Sequence, residues 1–137
     1  MCLRRRFYKG PISAVAAGKK ERVLFHKGKI CVRQLHLQYD ADNDTGNNKN
    51  VWNIKIDGME ILNFSFLHIY QHFAGNTICN NSDRPIICSR YSDTSKIFSL
   101  IFHDLGRVEE GIEVWFENVD TSNTCYVTIG MVYDILE

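Results

Sequence analysis

Two stretches near the end of the chain alternate apolar and polar side chains with a period of two. In residues 111–117 the apolar positions are Ile112, Val114 and Phe116, and the same alternation runs through residues 125–135. Because successive side chains of a strand point to opposite faces of a sheet, each stretch predicts a strand with one face in a core. This pattern is typical of a β-sheet protein.

The length and composition fit one globular domain. The chain has 137 residues, of which 45% are hydrophobic and 23% charged, as expected for a domain with its own core. Sixteen basic and sixteen acidic side chains give a formal net charge of zero, which argues against nucleic acid as a partner because such binding needs a basic excess. No apolar run reaches the roughly 20 residues of a membrane helix, so no membrane partner is predicted.

A tight hairpin is the sharpest local prediction. Asp57-Gly58 separates two alternating stretches, and both residue types tolerate the positive φ angles of a type I′ turn. A two-residue turn at this place puts Ile54 opposite Ile61.

The stretch 29–39 predicts a strand with an irregularity. Ile30 and Val32 share one parity, whereas Leu35 and Leu37 share the other. One face can hold both sets only if an extra residue is inserted between them, which predicts a β-bulge near Arg33-Gln34.

The strand spacing predicts the fold class. Seven or eight short strands with almost no helix are typical of an all-β, single-domain antiparallel β-sandwich, here of jelly-roll type. Residues 1–18 have no apolar period and are interpreted as an extended basic N-terminal arm, with residues 19–137 as the sandwich domain. Residues 63–73 fit a strand or a helical turn, and we favour the helical turn.

Candidate contact residues lie in three places. The chain begins with arginines followed by aromatic residues, the stretch 96–103 is apolar on both faces, and one tryptophan faces away from the predicted core between two glutamates. Apolar or arginine-rich surfaces of this kind favour contacts with a partner. The predicted partner-binding residues are Arg4, Arg5, Arg6, Phe7, Tyr8, Ile97, Ile101 and Trp115.

No catalytic motif is present. The chain has neither a Gly-x-Ser-x-Gly elbow nor a phosphate-binding glycine loop, and we predict no catalytic residue and no cofactor. His68 and His72 are four residues apart, as two metal ligands on one helix face would be, but no spacing supplies further ligands, so no metal site is predicted. Cys79 and Cys88 flank a polar loop, and whether they pair stays open.

Several segments share a layout with a known class of protein. They are KGKICVRQLHLQYDAD, VWNIKIDGMEIL, KIFSLIF and GIEVWFENVDTSNTCYVTIGMVYDILE, with matching positions at Lys27-Gly28-Lys29, Asp57-Gly58 and Asn118. The layout resembles small β-sandwich proteins carried on virus particles, above all the accessory, head-fibre and tail-tip proteins of tailed phages. The resemblance implies assembly in the host cytoplasm, residence in the virion, self-association with a trimer favoured, and contacts with other virion proteins or a host-surface glycan.

Three functions follow as hypotheses. The first is a virion structural or accessory protein without enzymatic activity. The second is a carbohydrate-binding module that uses exposed Trp and Tyr side chains. The third is a metal-dependent enzyme of cupin-like form, which requires more ligands near the two histidines.

Overall fold

The computed structural model describes residues 4–41, 47–78, 85–92 and 96–136. They form ten strands and one short α-helix, α1, at Phe66–His72. The strands are β1 (Arg4–Lys9), β2 (Ser13–Val15), β3 (Lys20–Lys27), β4 (Ile30–Ala41), β5 (Val51–Ile56), β6 (Met59–Ser65), β7 (Ile86–Ser92), β8 (Ile97–Val108), β9 (Gly111–Glu117) and β10 (Cys125–Ile135).

The strands make two antiparallel sheets that pack as a sandwich. The six-stranded sheet has the order β1-β10-β4-β8-β7, with β2 also paired to β10, and the four-stranded sheet has the order β3-β9-β5-β6. Pairing is nested along the chain: β1 with β10, β3 with β9, β4 with β8 and β5 with β6. Successive nested pairs alternate between the two sheets, which is the double Greek key of a jelly roll. The predicted fold class is confirmed.

The core is aromatic at its centre. Tyr39 lies 5.0 Å from Phe116 and 5.1 Å from Phe98, measured between ring centroids, and Trp52 lies 4.8 Å from Phe116. Phe66 of α1 is fully buried and contacts Phe98 at 5.1 Å. The helix therefore contributes to the core between the sheets, and aromatic burial of this kind supplies a large part of the hydrophobic stabilisation.

The local predictions hold with one correction. Asp57 and Gly58 have φ angles of 53° and 79°, as the predicted turn requires. Leu62, however, and not Ile61, lies opposite Ile54, because the register shifts between Ile54 and Lys55. The extra residue turns Leu62 towards the core and leaves Ile61 46% exposed.

Residues 63–73 contain both structures that the sequence allowed. Strand β6 continues to Ser65, and α1 begins at Phe66. The Ser65 hydroxyl accepts a hydrogen bond from the backbone N–H of His68 at 3.2 Å, a normal N-cap that ends the strand and starts the helix.

The basic N-terminal segment lies along the six-stranded sheet. Strand β1 pairs with β10 from Arg4–Ile135 to Lys9–Gly130, and β2 pairs with β10 around Ala14–Tyr126. The segment is extended, as expected, but these residues occupy the edge of the sandwich. The ten strands of the described residues exceed the seven or eight expected, and the additional ones, β1, β2 and β7, all lie at the edges of this sheet.

Candidate functional site

The outer face of the six-stranded sheet holds four of the eight predicted contact residues, Arg5, Phe7, Ile97 and Ile101. On β4, Leu35, Leu37 and Tyr39 point into the core and are fully buried, so the residues between them point outward. On β4 these outward residues include Gln34 and His36. The strand register puts outward side chains of β1, β8 and β10 on the same face, and these include Arg5, Phe7, Ile97, Ile101, Tyr126 and Val132.

The two-faced strand predicted around residues 96–103 is present in β8. Phe98, Leu100 and Phe102 are buried in the core, whereas Ile97 and Ile101 lie half-buried on the outer face. Half-buried apolar side chains on an outer sheet face offer apolar surface to a partner.

The N-terminal aromatic and arginine residues divide between two faces. Phe7 lies opposite Val132 on the outer face and is 79% exposed, while Tyr8, on the other side of β1, packs against the core. Arg6 and Arg4 are exposed at the sheet edge. Of the five predicted N-terminal residues, the outer face therefore collects Arg5 and Phe7.

Trp115 lies apart from the other predicted residues, on the outer side of the four-stranded sheet. It stands between Arg22 of β3 and Asn53 of β5. The ammonium groups of Lys20 and Lys55 lie 6.0 and 5.6 Å from its ring centroid, within the range of cation–π contacts. The lysines partly cover the ring, which limits the space for a stacked sugar.

Arg5 makes an ion pair within its own chain. Its Nε and Nη2 donate hydrogen bonds to the two carboxylate oxygens of Asp134 at 3.0 and 3.3 Å, and Arg33 Nε donates to the same carboxylate at 2.7 Å. Asp134 is 2% exposed. The hydrogen bond from Arg5, and then that from Arg33, lowers the pKa of Asp134 to about 2.

The predicted bulge explains how Arg33 reaches this carboxylate. The register of β4 against β8 and β10 skips Arg33. Val32 points into the core and Gln34 points outward, and the extra residue between them also turns its side chain outward. The bulge prediction is confirmed, but nothing in the sequence pattern linked it to Asp134.

A cleft of about 400 Å³ opens beside this ion-pair cluster on the outer face. Gln34 lines the cleft. The Oε1 atom of Gln34 lies 3.2 Å from His36 Nε2, and its Nε2 atom lies 3.5 Å from His103 Nδ1. Burial, and then the nearby His103, lower the pKa of His36. Sequence reasoning missed all of these polar residues as a group, because they meet only through the pairing of distant strands.

The histidine pair of α1 is exposed on the helix surface. The ring centroids of His68 and His72 are 4.5 Å apart, and His68 stacks on Phe64 at 4.7 Å. In residues 4–41, 47–78, 85–92 and 96–136, no group of three or more His, Cys, Asp or Glu side chains comes together as metal ligands would. The possible pairing of Cys79 with Cys88 concerns a residue, Cys79, outside the described ranges.

Comparison with known proteins found weak similarity to solved structures. No protein-family model matches the chain, and no curated protein matches its sequence. Among solved structures, the infectious bursal disease virus VP2 subviral particle is similar over 97% of this chain and 42% of its own, with 8% identity and a TM-score of 0.26. A chain of an infectious bursal disease virus particle is similar over 97% of this chain and 40% of its own length, with 10% identity and a TM-score of 0.24.

The chain thus spans less than half the length of the solved chains that it resembles. Within the described residues, no helix is both long and apolar enough to span a bilayer.

Proposed function

We propose that this protein is a non-enzymatic structural or accessory component of a virion, which acts by self-association and by docking to another virion protein. The observation that carries this proposal is the outer face of the six-stranded sheet. Phe7 and Tyr126 are 79% and 44% exposed there, and Ile97 and Ile101 are half-buried. Apolar surface on an open sheet face favours coverage by a partner.

The size of the face supports an interface. Five strands side by side span about 24 Å, and a strand of 12 residues such as β4 is about 40 Å long. Because β1 and β7 have only 6 and 7 residues, the five strands together cover roughly 800 Å², which is comparable to the roughly 800 Å² per partner of a standard protein interface. A second copy of the chain is the partner we propose for this face, with a trimer as the favoured assembly.

The edge formed by β1 supports the second contact. One side of β1 pairs with β10, and the other side pairs with no strand of the described ranges. This edge carries Arg4, Arg6 and Lys9 as exposed residues. Arginines recognise carboxylates through paired hydrogen bonds, so an acidic surface of another virion protein is the expected partner.

The oligomeric state in solution tests the proposal. We expect an oligomer by sedimentation at tens of micromolar, and we expect Ile101→Glu to shift it to monomer because a carboxylate would be desolvated at the contact. Ile61→Glu is the matched control, since Ile61 is 46% exposed on the other sheet. A monomeric wild-type protein would overturn self-association and favour the carbohydrate-binding alternative.

A further inference from the structure

The cleft on the outer face has the chemistry of a small-ligand site. We propose that it binds a sugar that carries a carboxylate, of the uronic or sialic acid class. Arg5 and Arg33 line one part of the cleft of about 400 Å³, Phe7 lines another, and Gln34, His103 and Asp104 line the remainder. This volume lies in the range of small-molecule sites. The cleft lies on the face proposed for self-association, so we expect the sugar to bind the dissociated chain.

Two guanidinium groups form the anion-binding part. Both are held by one carboxylate, that of Asp134, which is 2% exposed. These three groups together carry one net positive charge, and Asp104, which also lines the cleft, brings the formal charge of the cleft to zero. The side chains of Arg5 and Arg33 remain 56% and 39% exposed, and the Nη atoms of Arg33 donate to no acceptor among the described residues. Their remaining N–H groups are therefore available to a ligand carboxylate.

Asp134 fixes the two arginines before any ligand arrives. An arginine on a solvent-exposed strand loses side-chain entropy when it binds, but here the hydrogen bonds at 3.0 and 2.7 Å already restrict both. Such preorganisation reduces the cost of binding. An incoming anion would also offset the repulsion between the two like charges.

The rest of the cleft fits a sugar ring. Phe7 is 79% exposed and stands beside Val132, so together they offer an apolar wall for the C–H face of a pyranose. Gln34, His103 and Asp104 supply both donors and acceptors, which suits hydroxyl groups because each hydroxyl donates and accepts.

The charge distribution also sets the orientation of the ligand. Asp104 lies on β8, which is next to the strand of Arg33, β4, and three strand positions from the strand of Arg5, β1. A ligand carboxylate would be repelled by Asp104 and attracted by the two arginines. The acid group of the sugar is therefore expected on the Arg5 side of the arginine pair, with the hydroxyls towards His103.

Three matched ligands test the inference. Glucuronate has both the ring and the carboxylate, glucose lacks the carboxylate, and acetate lacks the ring. In titrations followed by amide and arginine side-chain NMR signals at low salt, we expect glucuronate to bind at least about tenfold more tightly than either. N-acetylneuraminate is the second acidic sugar. No binding of either acidic sugar, or glucuronate binding no tighter than acetate, would overturn the proposal.

Two variants locate the site. Phe7→Ala is expected to weaken glucuronate binding about fivefold while leaving acetate unchanged, because only the ring contacts Phe7. Arg33→Lys keeps the charge but loses the planar fork, and we expect about tenfold weaker binding of both anions. Arg107→Lys is the matched control, since Arg107 is 62% exposed outside the cleft.

Unchanged glucuronate affinity in both variants would overturn the proposal, and Phe7→Ala remains decisive if Arg33→Lys unfolds. If the dissociated form binds glucuronate and self-associated protein does not, the proposal is supported and the second copy covers the cleft. Sedimentation measures self-association separately, and glucuronate is titrated into protein that sedimentation shows to be monomeric, so failure of one proposal is distinguishable from failure of the other.

Discussion

Arg33 Nε lies 2.7 Å from Oδ2 of Asp134, although the two residues are 101 positions apart and Arg33 does not pair with Asp134 in the sheet register. The contact exists because the bulge in β4 adds one residue and turns Arg33 to the outer face. A backbone irregularity thus creates the polar cluster at the edge of the proposed contact surface.

The ionisation of Asp134 makes stability depend on pH in acid. Its pKa falls from 3.8 to about 2 in the folded state, chiefly through the hydrogen bond from Arg5. A lowered folded pKa means that the carboxylate stabilises the fold fully above about pH 4, and that this contribution is lost as the pH falls through about 2. We expect the difference in melting temperature between wild type and Asp134→Asn to shrink across that window. Parallel curves in thermal unfolding at pH 2–5 would contradict this.

Deletion of Arg33 should lower the unfolding free energy more than replacement of Arg33 by alanine. Without the extra residue, one side of the bulge must turn over, which would expose Ile30 and Val32, now 2% and 0% exposed. The expected loss is about 3–6 kcal/mol, from about 1.5–3 kcal/mol for each buried aliphatic side chain. Arg33→Ala keeps the backbone and removes only the ion pair. Equal losses in urea unfolding would show that the bulge does not set the register.

Much of the sandwich could be predicted because its inner strands alternate. Strands β4, β8, β9 and β10 have a core on one side, and their apolar residues recur at every second position. The edge strands carry a weaker signal. In β1, five of six residues are exposed and only Tyr8 is partly buried, so an edge strand and a mobile arm have the same sequence pattern.

The site was less predictable than the fold. Alternation indicated that Ile97 and Ile101 face outward, and the parity change indicated the bulge at Arg33. Asp134 gave no signal, because a carboxylate on an outer face is ordinary until two arginines from strands β1 and β4 cover it. Such clusters depend on which strands are neighbours, and strand order is a property of the whole topology.

The hairpin turn should require glycine at its second position. Gly58 has φ of +79°, and a Cβ there would meet no atom within 4 Å. The cost of substitution is therefore conformational, and we expect Gly58→Val to lose about 1–2 kcal/mol. Gly58→Asn should lose less, because asparagine tolerates this region. Equal unfolding free energies for the two variants would contradict the role of the φ angle.

A buried amide should be essential for the loop that precedes β10. Asn118 is fully buried. Its Nδ2 donates to the carbonyls of Val15 and Asn123 at 3.0 and 2.8 Å, and its Oδ1 accepts from the N–H of Asp120 at 3.0 Å. Replacement by Ala leaves these backbone groups without their partner, at an expected total cost of about 2–4 kcal/mol.

The same replacement should also loosen β2, since Val15 pairs with Cys125 at the start of β10 and Asn118 binds the Val15 carbonyl. We expect faster amide hydrogen exchange around that pair in Asn118→Ala, together with the loss of unfolding free energy. Asn63→Ala, at an exposed position of β6, controls for the loss of an amide at the surface. Equal effects of the two variants would mean that the loop holds its conformation without the Asn118 amide.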